Sequence, residues 1–157
     1  MPVATLVLQF NDDIASAQRL LALLEREYQA LSHCELTVLE ELLEEKRQLL
    51  AVLDQHRQQR SEQLRKLQLT ADRDGLHSLA QHSPQGAELL NGSDTLSELL
   101  EHCQAANQRN GRLIQHGQSS VEGMLMIVRG KNDAAGLYNR RGQSAGTIAR
   151  QRPINQA

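Results

Sequence analysis

The stretch VATLVLQFNDDIASAQRLLALLEREYQAL, Val3 to Leu31, decides the fold class. Within it Val3, Val7, Phe10, Ile14, Ala17, Leu21, Leu24, Tyr28 and Leu31 follow spacings of four and three in alternation, the seam of one long amphipathic helix. Asn11-Asp12-Asp13 offers a cap for a shorter helix beginning there. The seam continues upstream of that cap, which places the helix start near Val3.

Downstream, a second helix is expected from His33–Leu36 to about Leu69, with Leu39, Leu42, Leu43, Leu49, Leu50, Leu53, Leu64 and Leu67 on one side. Lys46, His56 and Arg60 fall on that seam, where long basic stems can cover apolar neighbours while their heads reach water. Residues 70–95 read as a connector punctuated by turns at Asp72–Gly75, Ser83–Gly86 and Asn91–Ser93. Thr95 and Glu98 form a capping-box pattern for a third long helix, whose seam is Leu96, Leu99, Cys103, Ala106, Asn110, Leu113, Gly117, Ser120, Met124 and Ile127. Pro2, Pro84 and Pro153 all lie outside these helices, as proline should. The expectation is an all-α fold: an elongated antiparallel bundle of three long helices, each of about 30 residues and about 45 Å, with a short helical connector and a flexible C-terminal tail.

Composition supports this and excludes other classes. Aromatics make up 2% of the 157 residues and there is no Trp, while Leu, Glu, Gln, Arg and Ala dominate, which disfavours a β fold. No apolar run approaches the roughly 18–20 residues of a membrane span. The N-terminus lacks the basic start and small-residue cleavage site of a leader, and two isolated cysteines suit a reducing compartment. The chain is therefore expected in the cytoplasm, without membrane insertion. Residues 1–128 carry 11 Lys or Arg against 18 Asp or Glu, whereas 129–157 carry six against Asp133 alone. The first is read as a helical bundle domain and the second as a flexible basic tail.

Catalytic and metal chemistry find little support. His102-Cys103 point to different faces of a helix and have no second pair at helical spacing. Asp72-Arg-Asp74-Gly75 imitates part of a calcium loop, but Thr70 stands at its first ligand position and Gln81 where a bidentate Glu belongs. His116 could serve a phosphotransfer domain, yet no Lys stands beside it, and no glycine-rich nucleophile turn surrounds a Ser or Cys. No enzyme activity, metal or cofactor is expected. The basic tail has one aromatic, Tyr138, and no stacking platform for nucleic acid. Asn107, Asn110 and Gly111 interrupt the third seam. Either a neighbouring helix approaches closely over Gly111 and Gly117, with Asn110 fixing register, or a partner's backbone docks there on the Asn amides.

Three stretches carry a family resemblance: Glu44-Glu-Lys-Arg-Gln-Leu-Leu-Ala-Val-Leu-Asp54 followed by Arg57 and Arg60, Asn107-Gln-Arg-Asn-Gly-Arg-Leu-Ile114, and Leu137-Tyr-Asn-Arg-Arg-Gly-Gln143. In this order, over residues 10–145, the chain resembles the FlgN-type flagellar export chaperones, although Asn139 stands where a Gly commonly follows the Tyr and the connector is not distinctive. The resemblance implies a cytoplasmic chaperone of the flagellar type III secretion system that binds C-terminal helical segments of hook-associated junction proteins and delivers them to the export gate. It implies substrate binding through Asn107, Asn110, Gly111, Leu113 and Ile114, and contact with the gate's cytoplasmic domain through Tyr138 and Gly142. The export ATPase complex would be a further partner. The alternatives are a self-associating coiled-coil scaffold and, remotely, the phosphotransfer domain.

Overall fold

The computed structural model describes residues 2–141, with side chains over 3–129, and these residues form four helices and no strand: α1 (Pro2–Ser32), α2 (Leu36–Lys66), α3 (Arg73–Ala80) and α4 (Gly86–Arg141). Helix α1 therefore starts at the upstream position. Pro2 suits a first helical residue because its missing N–H would have no intrahelical partner there. The Asn11–Asp13 triplet lies in mid-helix, and Asp13 is buried.

Helices α1 and α2 end in the same way. Cys34 takes a positive φ of 55°, with Glu35 N–H donating to Ala30 O at 2.9 Å and Cys34 N–H to Leu31 O at 3.3 Å. Gln68 repeats this at φ 59°, with Leu69 N–H to Leu64 O and Gln68 N–H to Arg65 O, both 2.9 Å. Each is a Schellman turn with a non-glycine residue at the left-handed position. Leu69 packs back on the core cluster that contains Leu64, the apolar contact that accompanies such turns. The second helix thus stops at Lys66, short of Leu69.

The connector is mostly helical. Asp72 caps α3 by accepting from Gly75 N–H at 3.0 Å and from Thr70 Oγ1 at 2.6 Å. The Thr70 hydroxyl first, and then the Gly75 amide, hold its carboxyl below the usual carboxylate range. Gly75 has no room for a side chain, since a Cβ would stand 1.8 Å from Thr70 O. Helix α4 begins at Gly86 and not at Thr95, so the capping box and the Asn91-Gly92-Ser93 turn are not formed. Tertiary packing overrides the local signals: Leu89 is fully buried, and Gly92 lies under Phe10, whose Cβ would be 3.2 Å from a Cβ added there.

Contacts divide the chain into two compact units, Met1–Leu113 and Ile114–Ala157, and α4 supplies residues to both. In the first unit α2 runs antiparallel to α1, since Asp13 meets Arg60 while Glu27 meets Lys46. Helix α4 runs parallel to α1: the Cys103 thiol donates to Ala17 O at 3.5 Å and the Asn110 amide to Leu24 O at 2.8 Å, pairs with one common offset of 86 residues. One core cluster gathers Val3, Leu6, Val7 and Phe10 with Leu64, Leu76, Leu89 and Leu96; the other gathers Leu20, Leu23 and Leu24 with Leu42, Leu49 and Cys103. Each buried Leu contributes about 1.5–3 kcal/mol. The buried face of α1 centres on Leu6, Phe10, Asp13, Ala17, Leu20, Leu24 and Glu27, while Leu21, Tyr28 and Leu31 are only half-buried. It is rotated from the expected seam because α1 packs against both α2 and α4.

The boundary drawn at 128/129 falls inside α4, which continues to Arg141; residues 142–157 lie outside the described residues.

Candidate functional site

Two buried carboxylates organise the first unit. Asp13, wholly buried, pairs through one oxygen with His56 Nδ1 and through the other with Arg60 Nη1, and the Arg60 guanidinium stacks 4.6 Å from the centre of the Phe10 ring. Glu27 accepts from Asn110 Nδ2 at 2.8 Å and pairs with Lys46 Nζ at 3.3 Å. Lys46 also donates to Asn107 Oδ1 at 2.8 Å. The sequence expectation that the heads of Lys46 and Arg60 reach past the seam to water is thus corrected. Their charged ends turn inward because two acids are buried opposite them. Asp13 and Glu27 stand two heptads apart on α1, and Lys46 and Arg60 stand two heptads apart on α2, so both pairs form in one antiparallel register.

Asn110, 1% exposed, is the centre of the second cluster. Its amide nitrogen donates to Leu24 O and Glu27, and its amide oxygen accepts from Arg109 Nε at 3.2 Å. Arg109 lies over the Tyr28 ring, 3.9 Å from its centre, and pairs with Glu25 at 3.1 Å. Asn110 therefore does fix register, as one sequence reading had it. The accompanying reading of a neighbour pressed over Gly111 and Gly117 does not hold: a Cβ on either would meet nothing within 4 Å. Gly123 is equally open.

Of the residues expected to bind substrate, Asn107 and Asn110 are joined by the Lys46–Glu27 network, with Asn107 exposed and Asn110 buried. Gly111 and Leu113 are half-buried, and Ile114 is exposed. Tyr138 lies on the α4 backbone beyond the described side chains, and Gly142 lies outside the described residues. The structure brings the first group onto about two successive turns of α4.

In the second unit Val121, Met124, Leu125 and Val128 occupy one helical face at i, i+3, i+4 and i+7 and are 55%, 64%, 46% and 53% exposed. Met126 and Ile127 extend the apolar surface around the helix. A helix apolar all round is normally buried, and contiguous exposed patches of this kind mark interaction sites. The sequence seam already contained Met124 and Ile127 but placed them in the bundle core. Val121, Leu125 and Val128 were missed, although the run Met124-Leu-Met-Ile-Val128 was the signal for them.

Among the described residues no group of three His, Cys, Asp or Glu is arranged to hold a metal ion, and no helix is long and apolar enough to cross a membrane. Burial pushes the Cys103 thiol above its ordinary range, which disfavours thiolate chemistry there.

A family model described as FlgN protein matches residues 1–146. The chain is also similar to a flagella synthesis protein FlgN from Pseudomonas aeruginosa, known from a crystal structure: 44% identity, 78% of this chain and 94% of that one covered, and a TM-score of 0.68. Among curated proteins no match is found.

Proposed function

The chain belongs to the FlgN family, and from that premise we propose that it is an export chaperone of the flagellar type III secretion system, acting in the cytoplasm by binding and not by catalysis. The observation that carries this reading is the uncovered apolar face of α4 at Val121, Met124, Leu125 and Val128. A protein that shields another chain's amphipathic helix needs such a face, and helix-to-helix docking through i, i+3, i+4, i+7 anchors is the economical geometry. The proposed cargo is the C-terminal helical segment of a hook-associated junction protein.

In this reading Gly111, Leu113 and Ile114 precede the docking face along α4, and Asn110 holds α4 against α1. Gly111 and Gly117 let a cargo backbone approach closely, since among the described residues nothing lies within 4 Å of a Cβ placed on either. Tyr138 and Gly142 are proposed, from the resemblance alone, to meet the export gate's cytoplasmic domain. The export ATPase complex is a further proposed contact on the same ground.

The test is light scattering after size exclusion, with the chain alone and mixed with hook-associated C-terminal segments. A defined complex is expected, and Val121→Asp with Leu125→Asp should weaken it at least tenfold, about 1.4 kcal/mol, with unchanged far-UV circular dichroism. Undiminished binding by that double variant would move the docking site elsewhere. A stable species of twice 17.5 kDa that ignores the segments would instead mean that the face pairs with a second copy, the scaffold reading.

A further inference from the structure

A second feature lies wholly within residues 1–113, in the cleft where α2, α3 and α4 meet, and no pairing described above accounts for it. Its volume is about 320 Å³, and its floor is apolar, formed by Phe10, Leu64, Leu76 and Leu96. Three arginines, Arg57, Arg60 and Arg73, stand around it. Each is held by an aspartate. Arg57 donates from Nε and Nη2 to Asp54, Arg73 from Nε and Nη2 to Asp94, and Arg60 from Nη1 to Asp13. These bonds orient the guanidinium groups and leave Nη1 of Arg57 and Arg73 and Nη2 of Arg60 outside the pairs. Ser61, Ser93 and Ser97 also line the cleft, and their hydroxyls have no hydrogen-bond partner among the described residues.

We propose that this cleft binds the end of another polypeptide chain: an α-carboxylate set beside an apolar side chain. The assignment follows from size and from what is left unbonded. A cleft of this volume stands at the lower end of ligand sites; it has room for one residue and not for a helix. The apolar floor takes the side chain. Oriented N–H groups and hydroxyls have capacity for a carboxylate, the acceptor that guanidinium groups bind most directionally. Asp13, Asp54 and Asp94 match the three guanidinium charges and Asp72 adds a fourth carboxylate, so recognition is by the direction of the N–H groups and not by bulk charge. Asp72 at the rim has its carboxyl engaged by Thr70 and Gly75. Capture of a chain terminus is a recurrent mode of peptide recognition.

The proposal rests on the chaperone reading only in supposing that the chain end belongs to a cargo, and the experiment separates the two. The probe is a fluorescent C-terminal peptide of a hook-associated protein, prepared as the free acid and as the C-terminal amide. The acid is expected to bind about tenfold more tightly. Arg57→Gln with Arg73→Gln should bring the acid down to the amide's affinity and leave the amide unmoved. Both residues are exposed, and surface pairs of this kind contribute little to folding. Equal affinities for acid and amide overturn the cleft assignment while the chaperone reading stands. If neither form binds, the chaperone reading fails, and N-acetyl-leucine at millimolar concentration decides the cleft by itself. Shifts of the Leu76, Ser93 and Ser97 amide resonances that vanish in Arg73→Gln support it, and their absence overturns it.

Discussion

Asp13 illustrates how a single side chain can specify a helical pairing. A carboxylate with no exposure is tolerable only because His56 and Arg60 both reach it. Burying charges costs several kcal/mol per ion, and the pair repays this only with good geometry and further hydrogen bonds. Removing one partner should therefore hurt far more than replacing the set. Arg60→Met is expected to lower stability in urea denaturation by about 3–5 kcal/mol. Asp13→Leu combined with Arg60→Met should recover most of that loss, and a double variant no more stable than the single one would refute this account. Because Glu27 and Lys46 repeat the arrangement two heptads away, α1 and α2 are held in one register; a slide by one turn would leave two buried acids without partners. Cys34 and Gln68 show the opposite case, residues whose left-handed backbone no sequence pattern announces. Glycine is the usual signal at that position, and the turns form here because their carbonyls are satisfied and Leu69 packs on the core.

Helices in this chain differ in what holds them. The short α3 depends on its cap and on Gly75, which sits against the Thr70 carbonyl, whereas Gly111 sits in the open. The same substitution should thus have opposite signs at the two sites. Gly75→Ala drives a methyl into a backbone oxygen and should cost about 1–3 kcal/mol. Gly111→Ala meets nothing and should stabilise by about 1 kcal/mol, the ordinary helical preference of Ala over Gly. Thermal unfolding of the two variants checks the pair; a destabilised Gly111→Ala would show a packed neighbour over that face. Helix α4 makes the same point along its own length. Up to Asn110 it is fastened by Leu89, Leu96, Cys103 and the amide network, and over 121–128 its apolar residues are exposed.

At the scale of the molecule, the two units differ in how their residues are covered. Tertiary packing of an apolar face, more than intrinsic propensity, stabilises most protein helices. Backbone amides of residues 114–129 are therefore expected to exchange with deuterium orders of magnitude faster than those in the middle of α1. Addition of the cargo segment should slow exchange there and leave the core of residues 1–113 unchanged. Protection of 114–129 in the free chain at the level of α1 would mean that the apolar face is already covered, by a second copy or otherwise.

Much of this was legible in the order of residues. The period of Val3–Leu31 and the Leu runs of α2 declare long amphipathic helices whatever surrounds them, because a 3.6-residue repeat can bury one face only as a helix. The three stretches that resemble the FlgN-type chaperones pointed to the family that the comparisons then matched. The start of α4 was not legible. Asn91, Gly92 and Ser93 are turn formers locally, and only Phe10, distant in sequence, makes a glycine at 92 the residue that fits inside a helix. Nor could periodicity tell a seam that is covered from one that is not, since Cys103 and Met124 follow the same repeat. The sequence by itself determined the helices, their apolar faces and the family. Tertiary structure decided which face is filled, which acids receive the basic residues of α2, and which apolar residues remain for a partner, because burial is a property of neighbours brought together by the fold and not of spacing along one helix.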